Sequence, residues 1–397
     1  MRRVLLLSTV VAVFLAGCSS GNARKQPTPK ERAVQQWNHA RSSVMLGLAQ
    51  DQYKTGNFNK ARQTVNEALK NTPDNAELWI LSAKLNIEQG RLEVAADELR
   101  RSLELAPEKP EAHYLLGVIH QRWQKLPAAL AEYEAASDKA PGELAYVLAR
   151  AEMLVAMDRA GEALTFLNGR LPYFENNPVI RDAIGQLLMQ QRRYAEAAES
   201  FRQASLLATD DLGLKQKLAR ALLFSNRHRE SAELLQRILR DERAADRADL
   251  YAMLGEACLG ADRPAEARSA FETATQLNES SVPAWQGIAK VALNINDMRR
   301  AEIAIRRAIA IDPADPQSYL LLGYLRLRQG RPADAKTAFS KASALDQSDA
   351  VALCMTGYAL EQLGEHDQAV ALYAKALRLK PGDELATKLM AQVGMND

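Results

Sequence analysis

Small and bulky apolar residues recur along this chain with a period of 34. Counting from Ser42 places repeat starts at Ser42, Ala76, Pro110, Leu144, Pro178, Leu212, Ala248, Val282, Pro316 and Ala350. Eight of the nine steps are 34 residues and one, Leu212 to Ala248, is 36, which predicts a two-residue insertion in a turn between Asp241 and Ala245. A unit of this length cannot bury its apolar face alone, so neighbouring units must stack.

Within each unit the eighth position is small (Ala49, Ala83, Gly117, Ala151, Gly185, Ala219, Gly255, Ala289, Gly323, Gly357). The twentieth is small as well, from Ala61 and Ala95 through Ser231 to Ala335 and Ala369. The twenty-fourth is large and apolar (Val65, Leu99, Tyr133, Leu167, Phe201, Leu235, Phe271, Ile305, Phe339, Tyr373). Small residues let two helices approach closely, and the bulky one fills the space beyond them. The pattern predicts a helix hairpin repeated ten times. Gly56, Gly90, Gly330 and Gly364 fall where first helices need a left-handed end, and Pro73, Pro107, Pro141, Pro313 and Pro381 close second helices.

These positions resemble the tetratricopeptide repeat, with Trp79, Tyr251, Trp285 and Tyr319 at its fourth position and the small, bulky and proline positions in register across residues 42–383. The resemblance implies an all-α, right-handed superhelical solenoid of about ten helix hairpins, with a capping helix in residues 384–397. A coiled coil would instead run on a seven-residue period. The fourth, fifth, sixth, seventh and ninth units lack the closing proline, carrying Glu175, Thr209, Arg243, Glu279 and Gln347 there. Looser turns are expected at those places. In the capping segment Leu385, Leu389 and Val393 are expected on one side, and removal of everything after Pro381 is expected to expose Leu377 and Leu379.

The first residues carry a second signal. Met1-Arg2-Arg3 precedes an apolar run from Val4 to Leu15 and then Leu15-Ala16-Gly17-Cys18. A charged start, a short apolar stretch and small residues before a cut read as a targeting peptide too short to be a membrane span. The segment resembles a bacterial lipoprotein signal, which implies a signal peptide at 1–17, lipidation of Cys18 and anchoring by several acyl chains. Ser19, not Asp, resembles an outer-membrane address, so the expected location is the periplasmic face of that membrane. Residues 18–41 begin polar and proline-containing and read as a flexible tether that leads into the first helix.

Charge narrows the partners. The chain has 51 Lys plus Arg against 49 Asp plus Glu, and loss of Arg2 and Arg3 with the signal levels them, so net charge gives no support to nucleic-acid binding. Cys258 and Cys354 lie about three repeats apart, too far for a disulfide in a stacked array.

Catalytic patterns are missing. No HExxH, GxSxG, GxxxxGK[ST], GxGxxG or paired CxxC occurs. His113 and His120 are seven apart on one helix, about 10.5 Å of rise, too far for one metal. Packing explains them better than ligation. Arg299, Arg300, Arg306 and Arg307 read as a solvated face. The expectation is a non-enzymatic chain without cofactor, metal or small-molecule substrate.

What remains is shape. In the family this chain resembles, the concave face is lined by first helices at repeat positions two, five, nine, twelve and thirteen. That implies a partner-binding groove containing Tyr53, Lys84, Tyr114, Arg122, Gln186, Arg220, Lys290, Tyr324, Arg328 and Tyr358. Tyr buries area with few torsions and keeps a hydroxyl, while Arg presents a planar donor fork to carboxylates. The Lys/Asn clamp of chaperone-binding members is not reproduced. Protein partners are therefore expected, with the membrane reached through the lipid. The architecture is similar to that of tetratricopeptide lipoproteins of type IV and Flp/Tad pilus assembly. The alternative is an adaptor for exopolysaccharide export or cell-wall synthesis enzymes.

Overall fold

A computed structural model describes residues 28–393, among which there are 21 α-helices, one short 3-10 turn and no strand. The expected signal peptide, Cys18 and Ser19 lie outside the described residues. The fold is the all-α solenoid of stacked hairpins that the period predicts. It divides into two compact units, one ending at Ala140 and one beginning at Pro141.

The first unit holds three hairpins: α1 (Pro29–Lys54) with α2 (Phe58–Asn71), α3 (Ala76–Glu88) with α4 (Leu92–Leu105), and α5 (Pro110–Arg122) with α6 (Leu126–Lys139). The second opens with α7 (Leu144–Ala156) and α8 (Ala160–Arg170), then α9 (Pro178–Gln190) with α10 (Tyr194–Leu207). It continues with α11 (Leu212–Phe224) and α12 (His228–Ile238), α13 (Ala248–Gly260) and α14 (Pro264–Leu277), and α15 (Val282–Asn294) and α16 (Met298–Ile311). The last elements are α17 (Pro316–Arg328), α18 (Pro332–Leu345), α19 (Ala350–Glu361), α20 (His366–Leu379) and α21 (Glu384–Val393). The two-residue insertion falls in the turn between α12 and α13, as the spacing predicts.

Most first helices start on side-chain caps, α5, α7 and α13 being the exceptions. Asn75, Asn177, Asp211, Ser281, Asp315 and Asp349 each accept a hydrogen bond from a backbone N–H of the opening turn, satisfying donors that the helix leaves unpaired. First helices end on a left-handed residue at the fifteenth repeat position. At Gly330 its N–H donates to Leu327 O at 3.0 Å and the next N–H, of Arg331, donates to Arg326 O at 2.9 Å, the two bonds of a Schellman end. Glycine occupies that position in four hairpins only. Gln124, Asp158, Arg192, Asn226, Asp262 and Asn296 hold the same conformation with φ between 58° and 63°.

The core of each hairpin is a matched pair. Wherever the eighth position is glycine, the twenty-fourth is aromatic: Gly117 with Tyr133, Gly185 with Phe201, Gly255 with Phe271, Gly323 with Phe339, Gly357 with Tyr373. A Cβ at any of these glycines would lie 2.4 to 2.6 Å from the ring it faces. Where the eighth position is alanine, the partner is aliphatic, as in Ala83 with Leu99 and Ala289 with Ile305, all fully buried. The summed volume is held steady, as close packing requires.

The fourth position also has a shared task. Trp79 Nε1 donates to Pro73 O and Trp285 Nε1 to Glu279 O, both at 2.8 Å, and Arg181 donates to Phe174 O at 3.2 Å. His113 stands 3.3 Å from Pro107 O through Nε2 and 2.7 Å from Glu132 through Nδ1. His113 thus fastens a first helix to the turn before it. Its neighbour His120 packs edge-on against Trp123, and burial lowers its pKa.

One expectation needs correction and two are refined. The helix-facing side of α21 is Ala386, Leu389 and Met390, while Leu385 is exposed and Leu379 is already 46% exposed in the intact chain. Arg299, Arg306 and Arg307 of α16 are exposed, as expected of a solvated face, while Arg300 is half-buried and pairs with Glu272, and Arg306 shares Glu302 with Arg326. The entry into the first helix, expected within residues 18–41, comes at Pro29, opened by a capping box between Thr28 and Glu31.

Candidate partner-binding groove

Three of the expected groove residues converge in the second unit. Lys290 on α15 and Tyr324 and Arg328 on α17 line a concavity of about 470 Å³ with Leu259, Leu293, Asn294, Leu321 and Leu327. Lys290 and Tyr324 occupy repeat position nine of successive units and Arg328 position thirteen, so consecutive first helices present them side by side. The floor is leucine and the rim is Lys, Asn and Arg.

Their states differ. Lys290 Nζ lies 2.7 Å from Glu256 and is neutralised from the preceding first helix. Tyr324 rests edge-on against Phe339, ring centroids 5.4 Å apart, and burial raises the pKa of its phenol, with Asp349 adding to the effect. Arg328 donates to Leu293 O at 3.2 Å, near the C-terminal end of α15. Among the described residues it has no carboxylate partner. That single bond orients the guanidinium over the leucine floor and leaves most of its donors unused, an arrangement suited to a carboxylate beside an apolar side chain.

In the first unit Tyr53 and Lys84 come together with Gln50, Lys54, Glu77, Ile80, Leu81, Lys109 and Glu111 around a concavity of about 390 Å³. The chemistry here is spent internally. Lys84 pairs with Glu111, Lys109 lies 2.6 Å from Glu77, and the Tyr53 hydroxyl donates to Glu88 at 3.0 Å. Burial, with Glu88 second, pushes the Tyr53 phenol up to about 12.

The remaining residues do not join either concavity. Tyr114 stacks obliquely on Tyr133 at 5.7 Å, Gln186 donates to Asp182 at 2.9 Å, and Tyr358 packs on the core under α19. Arg122 and Arg220 are exposed. Sequence reasoning missed Asn294 and Glu256, which sit at lining positions of their units and so could have been found by the same register. Among the described residues no group of three metal-ligating side chains occurs, and no helix is long and apolar enough to cross a membrane.

Comparison with known proteins agrees with the repeat. Tetratricopeptide repeat families match residues 46–110, 88–143 and 181–215. The family of the cilia and flagella-associated protein 70 C-terminal domain matches residues 211–396. The chain carries tetratricopeptide repeats. Among solved structures it is similar to yeast Tom70, at 12% identity over 90% of this chain and 89% of that one, with a TM-score of 0.49. It is also similar to MamA, at 20% identity over 41% of this chain and 94% of that one, with a TM-score of 0.36. No curated protein matches the sequence.

Proposed function

We propose that this protein is a non-enzymatic scaffold that binds a segment of a partner protein in the concavity between α13, α15 and α17. The observation that carries the reading is Arg328, an exposed guanidinium that has no carboxylate partner among the described residues, set beside a leucine floor and Tyr324. An arginine fork and a tyrosine around an apolar pocket are typical of the few residues that dominate binding energy at protein interfaces. The segment that fits carries a carboxylate next to a bulky apolar side chain.

In this proposal Cys18 is lipidated after removal of residues 1–17, Ser19 directs the protein to the outer membrane, and the bound partner belongs to a pilus or secretion complex. The support is the order of charged, apolar and small residues before Cys18 together with repeats that carry a groove and none of the catalytic patterns. The test is crosslinking in intact cells, followed by purification from the envelope, with a Tyr324→Ala/Arg328→Ala variant alongside. A secretin or pilus component recovered with the parent chain and lost with the variant is the expected result. Recovery of a polysaccharide-export or cell-wall enzyme would replace the pilus reading with the adaptor reading. An unchanged set of partners in the variant would remove the groove from it.

A further inference from the structure

Along one side of α1 stand Val34, Trp37, Val44 and Leu48, which are 52%, 69%, 74% and 52% exposed. Spacings of three, seven and four place them on a single stripe of an α-helix. Val44 and Leu48 occupy repeat positions three and seven. The third position holds Leu78, Ala112, Ile180, Leu214, Leu250 and Ala284 in later units, all buried. Leu78 shows why: with Leu85 it closes on Val65 and Ala68 of the hairpin before it. Among the described residues no helix precedes α1, so its equivalent face is bare, and the extension back to Pro29 lengthens that face by adding Val34 and Trp37.

The sequence that carries this stripe is basic. Residues 18–44 contain Arg24, Lys25, Lys30, Arg32 and Arg41 against Glu31 alone, in a chain whose totals are 51 and 49. Arg41 lies within the stripe and is held by Glu67 at 2.6 Å, while Lys30 stands at its beginning. A basic sequence beside an apolar stripe suits an anionic surface.

We propose that α1 docks on an anionic lipid surface, with Trp37 and its apolar neighbours at the interface and Lys30, on the same side of the helix, against the headgroups. A tryptophan on an apolar stripe with basic residues nearby is the composition of an interfacial helix. The proposal rests on the reading of Cys18 as the attachment point. Ten residues separate Cys18 from Thr28, a span of at most roughly 35 Å when fully extended, so an anchored chain keeps α1 close to the bilayer. Docking there holds the first hairpin against the membrane and gives the anchored protein a defined orientation.

The experiment mixes the full chain, and separately its Cys18→Ser variant, with vesicles of phosphatidylethanolamine and phosphatidylglycerol at 3:1, or of phosphatidylcholine alone. Co-sedimentation reports attachment. Quenching by brominated lipid, taken as the difference between each chain and its Trp37→Phe counterpart, reports whether Trp37 itself lies in the interface. Expected is Trp37 quenching in the anionic vesicles, weak quenching in the neutral ones, and a loss of roughly tenfold or more in Lys30→Glu. Quenching that persists in Cys18→Ser supports docking even if the lipidation reading is wrong. Co-sedimentation with Trp37 left in water would overturn docking and leave the anchor standing. Absence of co-sedimentation in both chains would overturn both. If Trp37→Ser/Val44→Ser turns a dimer into a monomer without changing lipid quenching, the stripe is a face between copies and the proposal falls.

Discussion

Gly323 and Phe339 share one volume: a Cβ on Gly323 would lie 2.4 Å from the ring, and the same ring supports Tyr324 edge-on at 5.4 Å. The hairpin core and the groove wall are therefore one packing problem. Alanine for glycine inside a helix ordinarily gains about 1 kcal/mol. Here overpacking of about 1–3 kcal/mol opposes that gain. Gly323→Ala should lower the urea midpoint, with a net loss of up to about 2 kcal/mol. In the Gly323→Ala/Phe339→Leu double variant the combined loss should be smaller than the sum of the two singles, because the pair reproduces the alanine–aliphatic match of other units. Strict additivity would show that the two side chains do not compete for space.

The left-handed turn ends offer a gain of stability. Gln124 and Arg192 carry φ of 58° without the short polar side chain that eases this conformation for Asn and Asp. Gln124→Gly and Arg192→Gly should each raise stability by up to about 1 kcal/mol, and Gly330→Ala should lower it by a similar amount. Thermal melts of the three variants against the parent would decide it, and destabilisation by the first two would refute the account.

Asp383 links the last helix to pH. It is buried, lies 2.9 Å from Lys380, and accepts the Ala386 N–H at 3.1 Å at the start of α21. The Lys380 bond, followed by the Ala386 bond, holds its carboxyl below the usual value. A depressed folded pKa means the contribution is present above the unfolded carboxylate value, near 4, and is lost as the pH falls through the folded value. Hydrogen exchange should show α21 losing protection below about pH 4, whereas Asp383→Asn should show weak protection that does not change across this range.

Removing α21 should be visible at a thiol. Cys354 is fully buried in the cluster that Ala386 and Leu389 complete, and burial pushes its pKa up to about 11. A chain ending at Pro381 should label with maleimide at neutral pH at least tenfold faster than the intact protein, since the thiol gains both access and thiolate. Equal rates would mean that α21 does not cover this site.

At the groove, Arg328→Ala should weaken partner binding about tenfold or more without lowering the melting temperature, because the side chain is exposed and carries no core contact. Arg328→Lys should not restore binding, since a point charge does not replace a planar fork. Full binding by the lysine variant would reduce Arg328 to a general positive charge.

Much of this was legible in the chain. The 34-residue register located every hairpin, and it placed Lys290, Tyr324 and Arg328 at positions that one helix face presents in series. The glycine–aromatic match was also readable, residue by residue, from the eighth and twenty-fourth positions, although no sequence rule required attention to it. Turn ends at Gln124 and Arg192 were hidden because nothing in those residue types favours a left-handed backbone. The stack imposes it.

By itself the sequence determined the repeat, the hairpins and the side on which each residue lies, since these follow from periodicity along a helix. Only the tertiary structure decided which of those residues remain available. Lys84 and Arg328 are both cations at lining positions, yet Lys84 is paired with Glu111, a residue 27 positions away on another helix, whereas Arg328 has the Leu293 carbonyl and, among the described residues, no carboxylate. Whether a charge is already neutralised depends on what stacking brings across from the next hairpin, and no local pattern records that distance.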